Sequence, residues 1–176
     1  MRKLSMEELN RKSVDDFRKA EKIQVIAVLE NIRSAYNVGS VFRTADAFLL
    51  EGIYISGYTA KPPHKEISKT ALGAEDSVSW KYFNNTKLAI EELKQKNYEI
   101  YAVEQVAGSI SLQYFTELNI EKVAFIFGNE VSGVEQDTIL LCDGSIEIPQ
   151  FGMKHSLNIS VAAGIILWEA SSKKLN

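Results

Sequence analysis

The chain has 176 residues, of which 45% are hydrophobic and 24% are charged, and its formal net charge is -3. A chain of this length and composition buries a substantial core as one globular domain, which argues against disorder. The negative net charge argues against a strongly basic protein that coats nucleic acid without specificity, although a local basic patch can still contact RNA.

Cysteine and histidine usage also narrows the function. Cys142 is the single cysteine, so no intramolecular disulfide can form, which is typical of a reducing cytosol. His64 and His155 lie far apart, and no Cys/His cluster has metal-ligand spacing. The N-terminus lacks the apolar core of a signal peptide, and no apolar run approaches the roughly 18 residues of a membrane helix. We therefore expect a soluble, cytoplasmic protein that binds no metal.

The predicted elements begin with a helix over residues 5–20, where Ser5 and Glu8 form a capping box. This segment is rich in both charge signs, so we expect a helical extension over 1–22 that precedes the main domain, 23–176. Apolar β-type runs follow at 23–29, 53–55, 78–82, 100–103, 123–127 and 146–148, with helix-like stretches near 38–50, 86–97, 133–141 and 156–172.

Strands that alternate with helices predict an α/β fold, a parallel sheet flanked by helices on both faces. The runs at 23–29 and 123–127 are apolar at successive positions, so both are predicted to be central strands. Ligands of such sheets bind beyond the carboxyl ends of the strands. The loops after residues 29, 103, 127 and 148 are therefore the expected ligand site.

The first of these segments, residues 31–46, follows the first central strand and leads into the helix predicted near 38–50. Asn37 is a suitable helix N-cap, and Gly39 allows a close approach to the helix start. Arg43 lies one or two turns further on, where a helix N-terminus and a guanidinium together suit an anion such as phosphate. The alternative is a solvated surface arginine on a well-capped helix.

The second loop follows the strand at 123–127 and contains Gly128, Glu130 and Gly133. Two glycines around a carboxylate allow a tight turn against a ligand. The pattern is neither a phosphate-binding loop nor a dinucleotide fingerprint. An ordinary strand-to-helix turn is the alternative.

The third segment begins where Pro149 ends a strand, and Ser156 or Asn158 can cap the helix that follows. That helix is apolar on most sides and therefore needs burial, either within the domain or partly against a second subunit.

Together the three segments resemble the TrmH-like (SpoU) branch of the SPOUT methyltransferases. The first family motif is matched by Asn37, Gly39, Arg43 and Thr44. The second is matched by Phe127, Gly128, Glu130 and Gly133. The third is matched by Ile148, Pro149, Ser156, Leu157, Asn158, Ser160 and Ala162. The resemblance covers roughly residues 23–172, since only the N-terminal segment and the last few residues lie outside it.

The resemblance implies a parallel α/β sheet whose C-terminal part is threaded into a trefoil knot, a rare exception to the rule against knots. It also implies S-adenosyl-L-methionine as cofactor and a homodimer whose active site draws on both subunits. The implied activity is methylation of a ribose 2′-oxygen in tRNA or rRNA. The alternatives are a noncatalytic RNA- or cofactor-binding module on the same fold and a generic nucleotide-binding protein.

Site residues are carried over from the family motifs position by position. Cofactor contacts are expected from Val103, Glu104, Phe127, Gly128, Gly133, Ile148, Leu157 and Asn158. Catalytic roles are expected from Arg43, Asn37, Glu130, Ser156 and Asn158. Because the pKa of an arginine exceeds about 12, we expect Arg43 to orient the ribose or its phosphate rather than to act as a base.

RNA contact requires positive charge near this site. The best basic loop runs over 61–69 and contains Lys61 and Lys65, while Arg33 and Lys154 flank the motifs. For each of these residues the alternative is an ordinary solvated surface charge.

Overall fold

The computed structural model describes residues 1–5, 8–9, 12–115, 117–153 and 156–172. Its strands are β1 Ile23–Glu30, β2 Leu50–Ser56, β3 Trp80–Phe83, β4 Glu99–Val103, β5 Ile110–Ser111, β6 Val123–Phe127 and β7 Gly144–Glu147. Its helices are α1 Val14–Lys19, α2 Ala35–Ala47, α3 Lys65–Ala71, α4 Ala74–Ser77, α5 Thr86–Gln95, α6 Leu112–Phe115, α7 Gln136–Ile139 and α8 Ile159–Ser172.

The described strands form one sheet in the order β3-β2-β1-β6-β4-β7-β5. Each strand pair runs parallel, including the central pair β1 and β6. Chain order reverses between β1 and β6, because β1 leads outward to β2 while β6 lies beside β4. This reversal is the switch point at which parallel α/β sheets bind ligands, and the predicted α/β class is confirmed.

Side chains of β1 alternate between two apolar cores. Val25 and Ala27 belong to one core, whereas Ile26 and Val28 belong to the other. β6 divides in the same way, so both strands are buried on both faces, as their continuous apolar runs predict. The first core is covered mainly by α2, α3 and α8, and the second by α5.

A close contact between α2 and α3 explains Gly39. A Cβ atom at this position would lie 2.2 Å from Oγ1 of Thr70 and 2.3 Å from the carbonyl oxygen of Ile67. Glycine therefore serves helix packing here, and the partner that approaches the start of α2 is α3 rather than a ligand. α8 also packs on α2 and β1, burying Ile166 and Leu167 completely.

The N-terminal helix is shorter than predicted. Ser5 and Glu8 do exchange capping-box hydrogen bonds, yet none of the described residues between 5 and 13 is helical. α1 begins at Val14, because the Oγ of Ser13 accepts the N–H of Asp16 as an N-cap. Phe17 is buried in the first core, so this segment is not a detached appendage.

Two further predictions need correction. The basic segment 61–69 is not a loop throughout, since α3 begins at Lys65 with His64 as its N-cap. The helix predicted near 133–141 is confined to the single turn of α7. Among the described residues, no helix has the length and apolarity needed to cross a membrane.

Candidate active site

A cleft of about 660 Å³ opens at the carboxyl edge of the sheet, beside the ends of β4, β6 and β7 and the start of α8. Its walls include all the residues predicted to contact the cofactor: Val103, Glu104, Phe127, Gly128, Gly133, Ile148, Leu157 and Asn158. Glu130 and Ser156 also line it. Loops that lie far apart in the chain thus meet at one cavity beyond the carboxyl ends of the strands, as expected for a parallel sheet. The cavity lies beside β6, β4 and β7 rather than across the β1–β6 switch point, and the loop after residue 29 does not line it, contrary to prediction.

The loop over 128–134, here called the glycine loop, folds back on itself. Asn129 and Gly133 exchange main-chain hydrogen bonds of 3.0 and 2.9 Å. A Cβ atom on Gly128 would lie 2.2 Å from the main chain of Gly133. Oε2 of Glu104 accepts the N–H of Val134 at 3.1 Å, which fixes the far end of the loop. The two glycines therefore shape one wall of the cleft.

Three side chains, one from each sequence motif, join at the rim of the cleft. Nδ2 of Asn158 donates to Oδ1 of Asn37 at 3.2 Å, and Nδ2 of Asn37 donates to Oε1 of Glu130 at 2.8 Å. We call Asn37, Glu130 and Asn158 the rim triad. The triad ties α2 and the glycine loop to the start of α8.

Glu130 is held by main-chain as well as side-chain donors. Its carboxylate accepts the N–H groups of Arg33 at 2.8 Å and of Ser34 at 3.0 Å. Partial burial favours the neutral acid, but the hydrogen bonds from Arg33, Asn37 and Ser34 outweigh it and hold the pKa of Glu130 below its usual value. Glu130 is therefore an ionised acceptor near neutral pH.

Asn37 is not the N-cap of α2, contrary to prediction. Ser34 caps the helix, and its Oγ accepts the N–H of Asn37 at 3.4 Å. Both residues are good N-cap types three positions apart, and capping by Ser34 leaves the amide of Asn37 available to the triad.

Arg43 and Ser156 stand apart from the rim triad. Ser156 is an exposed residue of the cleft wall. Arg43 is exposed on α2 and forms no hydrogen bond or ion pair with any described residue, and it is absent from the cleft wall. It shares the helix face of Tyr36 and Ser40, which precede it by seven and three positions.

The basic residues predicted to contact RNA are exposed where the structure describes them. Nζ of Lys61 lies 3.6 Å from the ring centroid of Tyr82, a cation–π contact. Lys65 opens α3, and Arg33 lies between β1 and α2 next to Glu130. Lys154 lies outside the described residues.

Sequence reasoning missed the residues that support the glycine loop from behind. Glu30, buried at the end of β1, accepts the N–H of Glu135 at 2.9 Å and the hydroxyl of Thr138 at 2.5 Å. Asn129 is also buried and donates to the carbonyl oxygen of Asn31 at 2.8 Å. The available signal was a polar residue at or just after the carboxyl end of each apolar central strand.

The parallel sheet, the cleft at its carboxyl edge and the triad at the rim define an α/β protein with a ligand-binding site. The model of the SpoU rRNA Methylase family matches residues 24–168, and the chain belongs to this family. The family resemblance carried by the three motifs is thereby confirmed.

Two curated relatives have similar sequences. The chain is 31% identical over 170 residues to a tRNA (guanosine(18)-2′-O)-methyltransferase of Thermus thermophilus, covering 96% of this chain and 84% of that protein. It is 29% identical over 168 residues to the 23S rRNA (guanosine-2′-O-)-methyltransferase RlmB of Vibrio parahaemolyticus, covering 96% and 67% respectively.

Solved structures have the same fold. An AdoMet-bound rRNA methyltransferase from Sinorhizobium meliloti matches with a TM-score of 0.79 and 26% identity over 91% of this chain and 61% of that one. The TrmH/SpoU tRNA modifying enzyme of A. aeolicus matches with a TM-score of 0.80 and 25% identity over 92% and 81%. The expected class of chemistry, RNA methylation with S-adenosylmethionine, is confirmed by these matches.

Proposed function

We propose that this chain transfers the methyl group of S-adenosylmethionine to the 2′-oxygen of a ribose in tRNA or rRNA. A guanosine is the proposed target, because both curated relatives are guanosine 2′-O-methyltransferases. The observation that carries the proposal is the rim triad, which places one polar residue from each motif at the mouth of the cleft.

The cleft suits the cofactor in size and lining. Its volume of about 660 Å³ falls within the usual range for small-molecule sites. Val103, Phe127 and Ile148 supply apolar surface for the adenosine, and the main chain at Gly128 and Leu157 supplies polar contacts. Glu104 already binds the N–H groups of Gln105 and Val134, so its proposed contribution is to hold the wall in place.

When bound, the cofactor supplies an electrophilic sulfonium methyl group. Transfer would break the sulfur–methyl bond, form a bond from the methyl carbon to the ribose 2′-oxygen and leave S-adenosylhomocysteine. The hydroxyl proton passes to a substrate phosphate or to water. A guanidinium stays protonated, so Arg43 is proposed to bind the ribose or adjacent phosphate and orient the hydroxyl. Alignment of this kind lowers the barrier without acid or base chemistry.

The remaining polar residues have supporting roles in this proposal. Glu130 fixes the loop between β1 and α2 through its main-chain hydrogen bonds, and Asn37 couples it to Asn158. Ser156, exposed in the cleft wall, can contact either cofactor or ribose. Arg33, Lys61, Lys65 and Lys154 are proposed to contact RNA phosphates.

A homodimer is part of the proposal. α8 exposes an apolar stripe of Val161, Ile165 and Trp168, which are 50%, 38% and 53% exposed. These residues are spaced by four and three positions and so share one helix face. A second copy that covers this stripe would also explain why Arg43 lies outside the cleft of its own chain. Ile165→Glu should convert a dimer into a monomer in sedimentation equilibrium, and unchanged mass would contradict this assignment.

Threading of the C-terminal part into a trefoil knot is likewise proposed. Support comes from the segment after β7, which lines the cleft beside the glycine loop before α8 packs on α2. Stretching single molecules tests it, since a knotted chain reaches a shorter end-to-end length than its residue number allows.

We also propose that residues 1–22 form an extension to a domain over 23–176, in keeping with a family match that begins at residue 24. Removing the extension should lower thermal stability, since Phe17 is buried, but should preserve cofactor binding. Loss of cofactor binding would contradict that boundary. We propose that the reaction takes place in the cytoplasm, in keeping with the proposed tRNA or rRNA substrate, and fractionation of cells would test this location.

Methyl incorporation tests the main proposal. Labelled S-adenosylmethionine should transfer its methyl group to unmodified tRNA or 23S rRNA transcripts, and not to DNA of the same sequence. Calorimetry measures cofactor binding separately. Binding without transfer would favour a noncatalytic binding module, and absence of binding would refute the proposal.

A further inference from the structure

Tyr58, which follows β2, combines an exposed ring with a fixed position. The residue is 64% exposed, yet its phenol oxygen accepts a hydrogen bond from Nδ2 of Asn129 at 2.7 Å. Its own N–H donates to Oδ1 of Asn31 at 3.2 Å. Both the main chain and the far end of the side chain are therefore anchored, while the ring remains open to solvent.

The anchor itself is rigid. Asn129 is only 8% exposed, and its Nδ2 also donates to the carbonyl oxygen of Asn31. Its Oδ1 accepts the N–H groups of Val131 at 2.8 Å and Ser132 at 3.0 Å. Every polar atom of the amide thus has a partner, so the orientation of the amide is determined. Tyr58 is held to the glycine loop by a buried and fully bonded side chain.

Tyr58 is connected to the rim triad through Asn129. Asn129 precedes Glu130, which bonds Asn37. Two cations, Arg33 and Lys61, are exposed in the neighbouring loops at the same edge of the sheet. An aromatic ring beside exposed cations is the arrangement with which proteins bind single-stranded nucleic acid, through base stacking and phosphate contacts.

We infer that the ring of Tyr58 stacks on an RNA base adjacent to the methylated ribose and so positions that ribose at the rim of the cleft. The inference rests on the proposed function and adds a contact that none of the three motifs contains. A ring fixed at both ends loses little conformational freedom on binding, which makes it an efficient stacking surface. The phenol hydroxyl anchors the side chain to Asn129, and the face of the ring stacks on the RNA base.

Four variants separate these roles. Tyr58→Ala should raise the Michaelis constant for unmodified tRNA or 23S rRNA transcripts by about tenfold or more, since stacking on one base accounts for that much affinity. Tyr58→Trp and Tyr58→Phe should both fall between Tyr58→Ala and the unaltered chain, because each keeps an aromatic ring but loses the phenol oxygen that accepts the hydrogen bond of Asn129. Tyr114→Ala is the matched control, as Tyr114 is 54% exposed on α6 and lies outside the cleft wall.

Cofactor affinity is measured on each variant and should stay within about twofold of the unaltered chain, because no part of the Tyr58 ring is needed to bind it. Equal Michaelis constants for Tyr58→Ala and the unaltered chain would overturn the inference and leave the proposed function intact. So would a Tyr58→Ala chain that loses cofactor and RNA affinity alike. If the unaltered chain transfers no methyl group, RNA filter binding replaces the kinetic readout, and Tyr58→Ala must still bind more weakly than Tyr114→Ala.

Discussion

Asn158 donates a hydrogen bond to Asn37 across a sequence separation of 121 positions, and Asn37 in turn donates to Glu130. These two hydrogen bonds join α2, the glycine loop and the segment that leads into α8 at the mouth of the cleft. The arrangement makes Asn37 the central member of the rim triad, since it alone touches both others.

Replacing Asn37 should impair methyl transfer more than folding. Asn37→Ala removes a hydrogen bond to an ionised carboxylate, worth about 1.5–3 kcal/mol, and kcat/KM should fall roughly tenfold to a hundredfold. Asn37→Asp should be worse at neutral pH, because it places a second carboxylate against Glu130.

The matched control for Asn37 is Asn85→Ala. Asn85 caps α5, away from the cleft, by accepting the N–H of Leu88 at 3.1 Å. Its loss should cost ~1 kcal/mol of stability while kcat/KM stays unchanged. Equal activity of Asn37→Ala and Asn85→Ala would rule out a functional role for the triad.

Arg43→Lys tests whether the guanidinium acts through its shape. Lysine keeps the positive charge but loses the planar set of donors that binds a phosphate or ribose in two places. We expect the single-turnover rate to drop by about tenfold or more, corresponding to at least ~1.4 kcal/mol of barrier. Arg18→Lys, on α1, is the conservative control. A near-normal rate for Arg43→Lys would disprove orientation by the guanidinium.

Gly39 and Gly164 form a pair with opposite expectations. Gly39→Ala should destabilise the fold by about 1–3 kcal/mol, because the new methyl group meets the main chain of Ile67. Gly164→Ala should stabilise it by roughly 0.5–1 kcal/mol, since a helical glycine is replaced where no atom lies within 4 Å.

Urea denaturation of both glycine variants measures these changes. If the unfolding midpoint of Gly39→Ala does not fall, the close packing of α2 on α3 is contradicted. Sedimentation of Gly164→Ala shows in addition whether a second copy packs against this part of α8.

Acid should weaken the fold partly through Glu130. Its pKa is depressed in the folded chain, so its stabilising effect is complete above its ordinary value of 4.5 and disappears as the pH falls through the lower folded value. Glu130→Gln should therefore show a smaller loss of stability between neutral pH and pH of about 3.

Glu92 provides the comparison for the acid experiment. Burial opposes its ionisation, but hydrogen bonds from Lys81, Lys96 and Tyr54 prevail and lower the pKa of Glu92 to about 2. Glu92→Gln should flatten the acid dependence as well, yet it should leave methyl transfer unchanged because Glu92 lies on α5, outside the cleft wall. An acid profile of Glu130→Gln identical to that of the unaltered chain would contradict the assignment.

Much of the fold followed from local patterns. The central strands β1 and β6 were predictable because burial on both faces demands apolar side chains at successive positions. α3 was not predictable, because only Ile67 and Ala71 of this short helix are buried and its remaining residues look like a charged loop. The start of α1 was predicted too early, because Ser5 and Ser13 are equally good N-cap residues. Only Ser13 caps the helix that buries Phe17.

Some parts of the candidate site could likewise be predicted from the sequence, and others could not. The motifs predicted which residues line the cleft, because backbone shape there depends on glycine and on strand ends. Asn129 and Tyr58 could not be assigned, since their roles depend on a hydrogen bond between two loops 71 positions apart. Nothing in either local sequence indicates that partner.

The packing of α8 on α2 and β1 has a consequence for synthesis of the protein. β1 and α2 leave the ribosome before α8. Until α8 has been synthesised, the surface that it covers on α2 and β1 remains exposed, and Oδ1 of Asn37 lacks the hydrogen bond from Asn158. Contacts between such distant segments form slowly. Until α8 is synthesised, the nascent chain therefore has an incomplete cleft and an uncovered apolar surface, and exposed apolar surface of this kind favours aggregation and chaperone binding.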